Sequence, residues 1–158
     1  VFPHRMDSEK QPELFVKLLK LFQKYPNWKF IFTKEECKNK LDYYKLLSKS
    51  KVAISFALQE TWGIAQQESM MMGCIPLVPD RLSYREMYFE SFRYTTEKEL
   101  FSLVENCILN YDTLTSEKSE FEYNRKKQNK EKIFRPMTRS YIKPKLNLEK
   151  CVISKSLK

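Results

Sequence analysis

The chain has 158 residues, 42% of them apolar, and a formal net charge of +9. It is long enough to bury one proper core, and no run approaches the roughly 20 apolar residues of a membrane span. A single histidine and four scattered cysteines (Cys37, Cys74, Cys107 and Cys151) argue against a zinc site, and two glycines argue against a glycine-cradled phosphate loop. The cysteines read as reduced thiols, which points to a cytoplasmic protein. The first residue is Val1, so the chain is expected to be a piece of something longer or a processed form. Charge is uneven. Residues 117–158 hold 13 basic and 5 acidic side chains, a net +8, against +1 for all the rest. A basic tail of this kind suits a polyanion, either nucleic acid or a membrane surface. It equally suits a solvated lysine-rich tail.

Val1, Phe2 and Pro3 read as the end of a strand, and residues 4–10 as a polar turn. Ser8 is a plausible N-cap, and Pro12 fits a first helical turn. Leu14, Phe15, Leu18, Leu19, Leu21 and Phe22 recur at helical spacing, so a helix is expected to run to about Tyr25 before Pro26 and Asn27 break it. Residues 28–33 read as an apolar strand. Residues 41–48 read as a helix with Leu41, Tyr44 and Leu47 on one face. The apolar run 52–58, with β-branched Val52 and Ile54, reads as a buried strand, followed by a loop, a helix from Gly63 to Gly73, and a second strand at 75–78. A short helix at 84–89 and an edge strand at 92–95 follow. Thr96 with Glu99 three residues later is a capping box for a helix carrying Leu100, Leu103, Val104, Cys107 and Ile108. After Asn110 the pattern weakens. Residues 135–146 look extended, and Val152 with Ile153 is a candidate last strand. This alternation predicts an α/β fold, a Rossmann-like, mostly parallel sheet flanked by helices, with a basic C-terminal extension.

The chemistry concentrates in residues 60–78. Glu60 and Glu68 sit eight positions apart around a loop and helix start that follow a strand, where open α/β sheets bind ligands. Glu60, Trp62, Gly63, Ile64, Glu68, Met70, Gly73 and Pro76 stand in register with the signature of the family-4-like glycosyltransferases of GT-B fold, which this stretch resembles. A second match lies in Arg5 and Lys10, five positions apart just after the first strand. Phe2-Pro3-His4-Arg5 and residues 76–84 more narrowly resemble the branch that contains tRNA-queuosine mannosyltransferase-like proteins. The resemblance covers residue 1 to about Asn110. Some family features differ here. The glycines usually flanking the arginine are replaced by Pro3, His4 and Met6, Thr61 replaces a common glycine, and the segment between the strands at 28 and 52 is short.

The resemblance implies the donor-binding, C-terminal half of a GT-B enzyme. Residues 1–112 would form the nucleotide-sugar-binding domain and 113–158 the basic extension. The N-terminal acceptor domain would be missing from this chain, which alone would then be inactive. The implied reaction is metal-independent hexosyl transfer with retention of configuration, from a nucleotide sugar such as UDP-glucose or GDP-mannose, with no further cofactor. The implied acceptor is open, with a DNA or RNA base reached through the basic tail as one candidate. Arg5 and Lys10 would neutralise the leaving diphosphate, with amides at the helix start adding donors. Glu60 would hold sugar hydroxyls, with Thr61, Trp62, Gly63 and Ile64 in the donor loop, and Glu68 would take the ribose diol. Taken singly, Arg5 and Lys10 read as surface charges, His4 as structural, and residues 70–72 as packing methionines. A second reading keeps nucleotide or nucleic-acid binding and drops the catalysis.

Overall fold

A computed structural model describes residues 1–116 and Glu122. The extended stretch expected at 135–146, the strand expected at 152–153 and the basic extension as a whole lie outside the described residues. The helices are α1 (Pro12–Leu21), α2 (Thr33–Glu36), α3 (Lys40–Lys49), α4 (Ile64–Met71), α5 (Tyr84–Met87) and α6 (Glu97–Leu114). The strands are β1 (Val52–Ile54), β2 (Ile75–Pro79) and β3 (Arg93–Tyr94), in that spatial order and all parallel. This is an α/β structure, a parallel sheet flanked by helices in the manner of a Rossmann-like half-fold. No described helix is long and apolar enough to cross a membrane.

Two short extended pieces widen the sheet beyond β1. The Val1 amino group donates to the Val52 carbonyl at 2.6 Å, and Ile54 N–H returns a bond to the Val1 carbonyl at 3.0 Å. On its other side Phe2 makes a parallel bridge with Phe32. The strand expected over 28–33 is therefore reduced to one bridged residue. Phe2 N–H bonds to the Ile31 carbonyl and Thr33 N–H to the Phe2 carbonyl, and Pro3, which has no N–H, does not carry the ladder on. The run 52–58 is likewise strand only to Ile54, although Ser55 still donates to Leu77 O and Phe56 and Ala57 stay buried.

Phe2, Phe15, Leu18, Phe22, Ile54, Phe56, Leu77, Val78, Leu100 and Val104 belong to one buried cluster, the main core. The Phe15 ring meets Phe32 edge-on at 4.8 Å. Helix α1 ends at Leu21, earlier than Tyr25, because Phe22 turns its backbone out of the helix while keeping its ring in the core. Ser8 does not cap α1. It starts a 3-10 turn (Ser8–Lys10), and Gln11 in the left-handed region precedes Pro12 at the first position of α1. Tyr44 and Leu47 are buried as expected, whereas Leu41 faces outward. The capping box at Thr96 is formed, with Glu99 N–H to Thr96 Oγ1 at 3.2 Å. Helix α6 continues past Asn110, where it kinks, to Leu114, because Tyr111 and Leu114 still pack on the core.

Candidate functional site

Parallel strands carry the segments that follow them to one edge of the sheet. The 3–10 segment after Phe2, the loop after β1 and the start of α4 therefore meet there. The 3-10 turn is tied to the loop by Leu58 N–H to Glu9 O at 2.8 Å. That places Lys10 beside the first acidic residue of the motif. Lys10 Nζ donates to the Gln59 carbonyl and to Glu60 Oε2, the latter at 3.3 Å. Both side chains are largely buried, Lys10 10% and Glu60 16% exposed. Burial pushes the Glu60 carboxyl up, but a backbone hydrogen bond from Gly63 and the nearby Lys10 ammonium outweigh it and hold the group below the usual carboxylate range.

Gly63 makes this loop possible. It caps α4 in the left-handed region with φ 57°, and a Cβ there would stand 2.7 Å from Cε1 of Tyr84. Tyr84 in turn shares a hydrogen bond of 3.0 Å with Ser55 Oγ, and Tyr94 donates to the Ser55 carbonyl at 2.6 Å. A ring of buried hydroxyls thus supports the floor of the loop. Residues 60–63 run above it, with Thr61 and Trp62 exposed, Trp62 by 59%. Trp62 is therefore no core residue. Its carbonyl accepts from Gln67 Nε2, which ties the loop to the first turn of α4.

Glu68 sits one turn into α4 and is 9% exposed. Its two oxygens have separate partners. Tyr44 O–H donates to Oε1 at 2.7 Å and Lys40 Nζ donates to Oε2 at 2.7 Å. Sequence reasoning missed both partners. They lie 24 and 28 positions away on a different helix, and no local pattern links them. The one signal that could have pointed to them is that Lys40 opens α3 directly after an N-cap, Asn39, whose side chain accepts from Asp42 N–H at 3.0 Å.

A cleft of about 490 Å³ opens beside Glu68. Arg5, Ile64 and Glu68 line it, together with His4, Lys34, Lys38 and Lys40. Lys10, Glu60, Thr61, Trp62 and Gly63 are not in its wall. Arg5 is exposed and pairs with Asp7 at 3.2 Å and more distantly with Glu9 at 4.0 Å. His4 stands between the two groups. Burial, partly offset by Glu60 and reinforced by Lys10, lowers its pKa to about 4, so the ring is neutral at pH 7. Its Nε2 is buried without a protein partner among the described residues, and the Phe2 ring packs edge-on against it at 5.4 Å. A second cavity, of about 520 Å³, lies elsewhere, along residues 27–31 and 49–52, and its wall holds none of the motif residues. Among the described residues no three His, Cys, Asp or Glu side chains come together as a metal site would require. Cys37, Cys74 and Cys107 are free thiols, and burial raises the last two to about 12.

The arrangement offers a cationic cleft with one acidic residue in its wall, next to a loop held by a buried Lys–Glu pair. Among known proteins, the chain is 28% identical over 125 aligned residues to the tRNA-queuosine alpha-mannosyltransferase of Drosophila melanogaster. The match covers 63% of this chain and 33% of that relative. It indicates a glycosyltransferase-like relationship, and the chain spans about a third of the relative's length. No family model matches the chain, and no solved structure matches it.

Proposed function

We propose that this chain is the donor-binding half of a retaining, metal-independent hexosyltransferase of GT-B architecture. The observation that carries the reading is the meeting, at one edge of a parallel sheet, of Glu60 and Glu68 around the start of α4 with Arg5, Lys10 and a cleft of about 490 Å³. In this reading Arg5 and the first amides of α4 receive the diphosphate of a nucleotide sugar, where negative charge grows as the sugar departs. Glu68 accepts two hydroxyl hydrogens of the ribose diol. Glu60, fixed by Lys10 and Gly63, accepts from the sugar hydroxyls with the 61–64 loop beside it. The glycosidic C–O bond to the diphosphate breaks as the acceptor oxygen bonds to the same face of the anomeric carbon. The acceptor proton passes to the leaving phosphate.

The relative's activity suggests the acceptor, a modified base in tRNA, with GDP-mannose or UDP-glucose as donor candidates. The basic residues 117–158 suit a polyanionic acceptor of that kind. Thermal shift of the chain against UDP-, GDP- and ADP-sugars tests the donor reading. A rise with one nucleotide series, lost in Glu68→Ala, is the expected result; no rise with any series removes the reading for this chain.

A further inference from the structure

If the cleft takes a nucleotide as proposed above, Lys40 stands at the carboxylate that meets the diol. Glu68 Oε2 accepts from the Lys40 ammonium at 2.7 Å, so a vicinal diol must share that oxygen with the ammonium or displace it. The other oxygen is held by Tyr44, which is fully buried, so the carboxylate stays aimed whatever happens to Lys40. Lys40 itself is 45% exposed. Water and salt therefore reach the ammonium end of this pair, while its carboxylate end is buried. The Lys40 backbone is anchored at the first position of α3, behind the Asn39 cap, while its four-carbon stem can swing. In the position that pairs with Glu68, the ammonium also stands over the rings of Tyr43 and Tyr44, with centroids at 4.5 and 4.9 Å.

The charge in the cleft says where the ammonium goes next. Of the described residues in its wall, Glu68 is the one acidic side chain, against Arg5, Lys34, Lys38 and Lys40. Arg5 is already drawn back by Asp7 and Glu9. A ligand that supplied hydroxyls alone would break the Lys40–Glu68 pair and leave a cation facing cations. A ligand that brings a diol and a diphosphate together replaces both halves of the pair, hydroxyls for Glu68 and phosphate oxygens for Lys40. We infer that Lys40 is a specificity-determining residue. It guards the diol-binding carboxylate, and it is exchanged onto the phosphate of a nucleoside diphosphate, so that the cleft discriminates against the bare nucleoside.

The test is calorimetric titration of the full chain and of Lys40→Met with UDP, GDP and ADP and with uridine, guanosine and adenosine. For the nucleotide that binds the unmodified chain, Lys40→Met is expected to weaken the diphosphate several-fold and to tighten the parent nucleoside several-fold. Lys40→Arg, which keeps the cation, is expected to retain the original preference. A general loss of packing would move both ligands the same way, so parallel shifts or no shift overturn the exchange while leaving the donor reading intact. Failure of every diphosphate to bind the unmodified chain instead removes the donor reading and the exchange with it.

Discussion

Two lysine–glutamate pairs flank the start of α4, and they differ in where the lysine is. Lys10 and Glu60 are both largely buried, and Lys10 also donates to the Gln59 carbonyl. Lys40 is half exposed, and only its partner Glu68 is buried. The first lysine cannot leave without stranding a carboxylate and a carbonyl in a low dielectric. The second can pass its ammonium to water, and the buried carboxylate it leaves keeps the Tyr44 hydroxyl as a donor. The same pair of residue types therefore makes a fixed strut in one place and an exchangeable guard eight residues further on.

The comparison breaks most readily at Lys10. Lys10→Met is expected to lower stability by about 3 kcal/mol, the usual cost of removing one partner from a buried pair, read by urea unfolding at pH 7. A loss below about 1 kcal/mol would place this pair with the exposed ones.

His4, beside the same strut, gives a pH signature. Its folded pKa of about 4 lies below the ordinary 6.5. Between those values the unfolded chain binds the extra proton and the folded chain does not. His4 thus makes no difference above pH 6.5, and its burial subtracts from stability as pH falls towards 4. The full loss is about 3 kcal/mol for a shift of this size. Unfolding midpoints from pH 7 to 4 should show that decline in the native chain and a shallower one in His4→Phe.

Gly63 sharpens the picture of the strut, since its amide bonds Glu60. Gly63→Ala meets both a left-handed backbone and the Tyr84 ring, so a loss of about 2 kcal/mol is expected. Gly73 has φ 101°, outside the left-handed well that holds Gly63, and open space where a Cβ would stand. Gly73→Ala therefore costs backbone strain without a clash, and a Gly63→Ala loss below about 1 kcal/mol would remove the role of Tyr84. Lys40→Met removes one of the two donors of the buried Glu68 and is expected to cost about 2 kcal/mol, less than Lys10→Met, and urea unfolding at pH 7 checks that its binding phenotype is read on a folded protein. Smaller and opposite in sign is Gln66→Leu. Both amide atoms of Gln66 are buried without a partner among the described residues. An apolar side chain of similar size should stabilise by about 1 kcal/mol, seen as a higher melting temperature.

The signals in the sequence that match the structure are local ones. The Thr96–Glu99 box, Pro12 at the start of α1 and the bounds of α4 between Gly63 and Gly73 all depend on neighbours within a turn or two. The strand expected at 28–33 shrinks to the bridge at Phe32 because a strand exists only with a partner, and Pro3 after Phe2 has no N–H to extend the ladder. Leu41 points outward because a helix face is chosen by what packs against it, which spacing alone does not reveal.

The same division applies to the site. Periodicity and turn chemistry are local, and they are enough for an α/β domain and a pair of glutamates around a helix start at a strand end. Arg5 and Lys10 are marked as their companions by the family resemblance, since taken singly they read as surface charges. Only the tertiary structure decided that Lys10 is a buried strut of Glu60 and that Arg5 lines the cleft instead. It alone brought Lys40 and Tyr44 onto Glu68. Those contacts join residues 24 to 50 positions apart, and whether a lysine is locked or free depends on how much water reaches it, which only the folded packing sets.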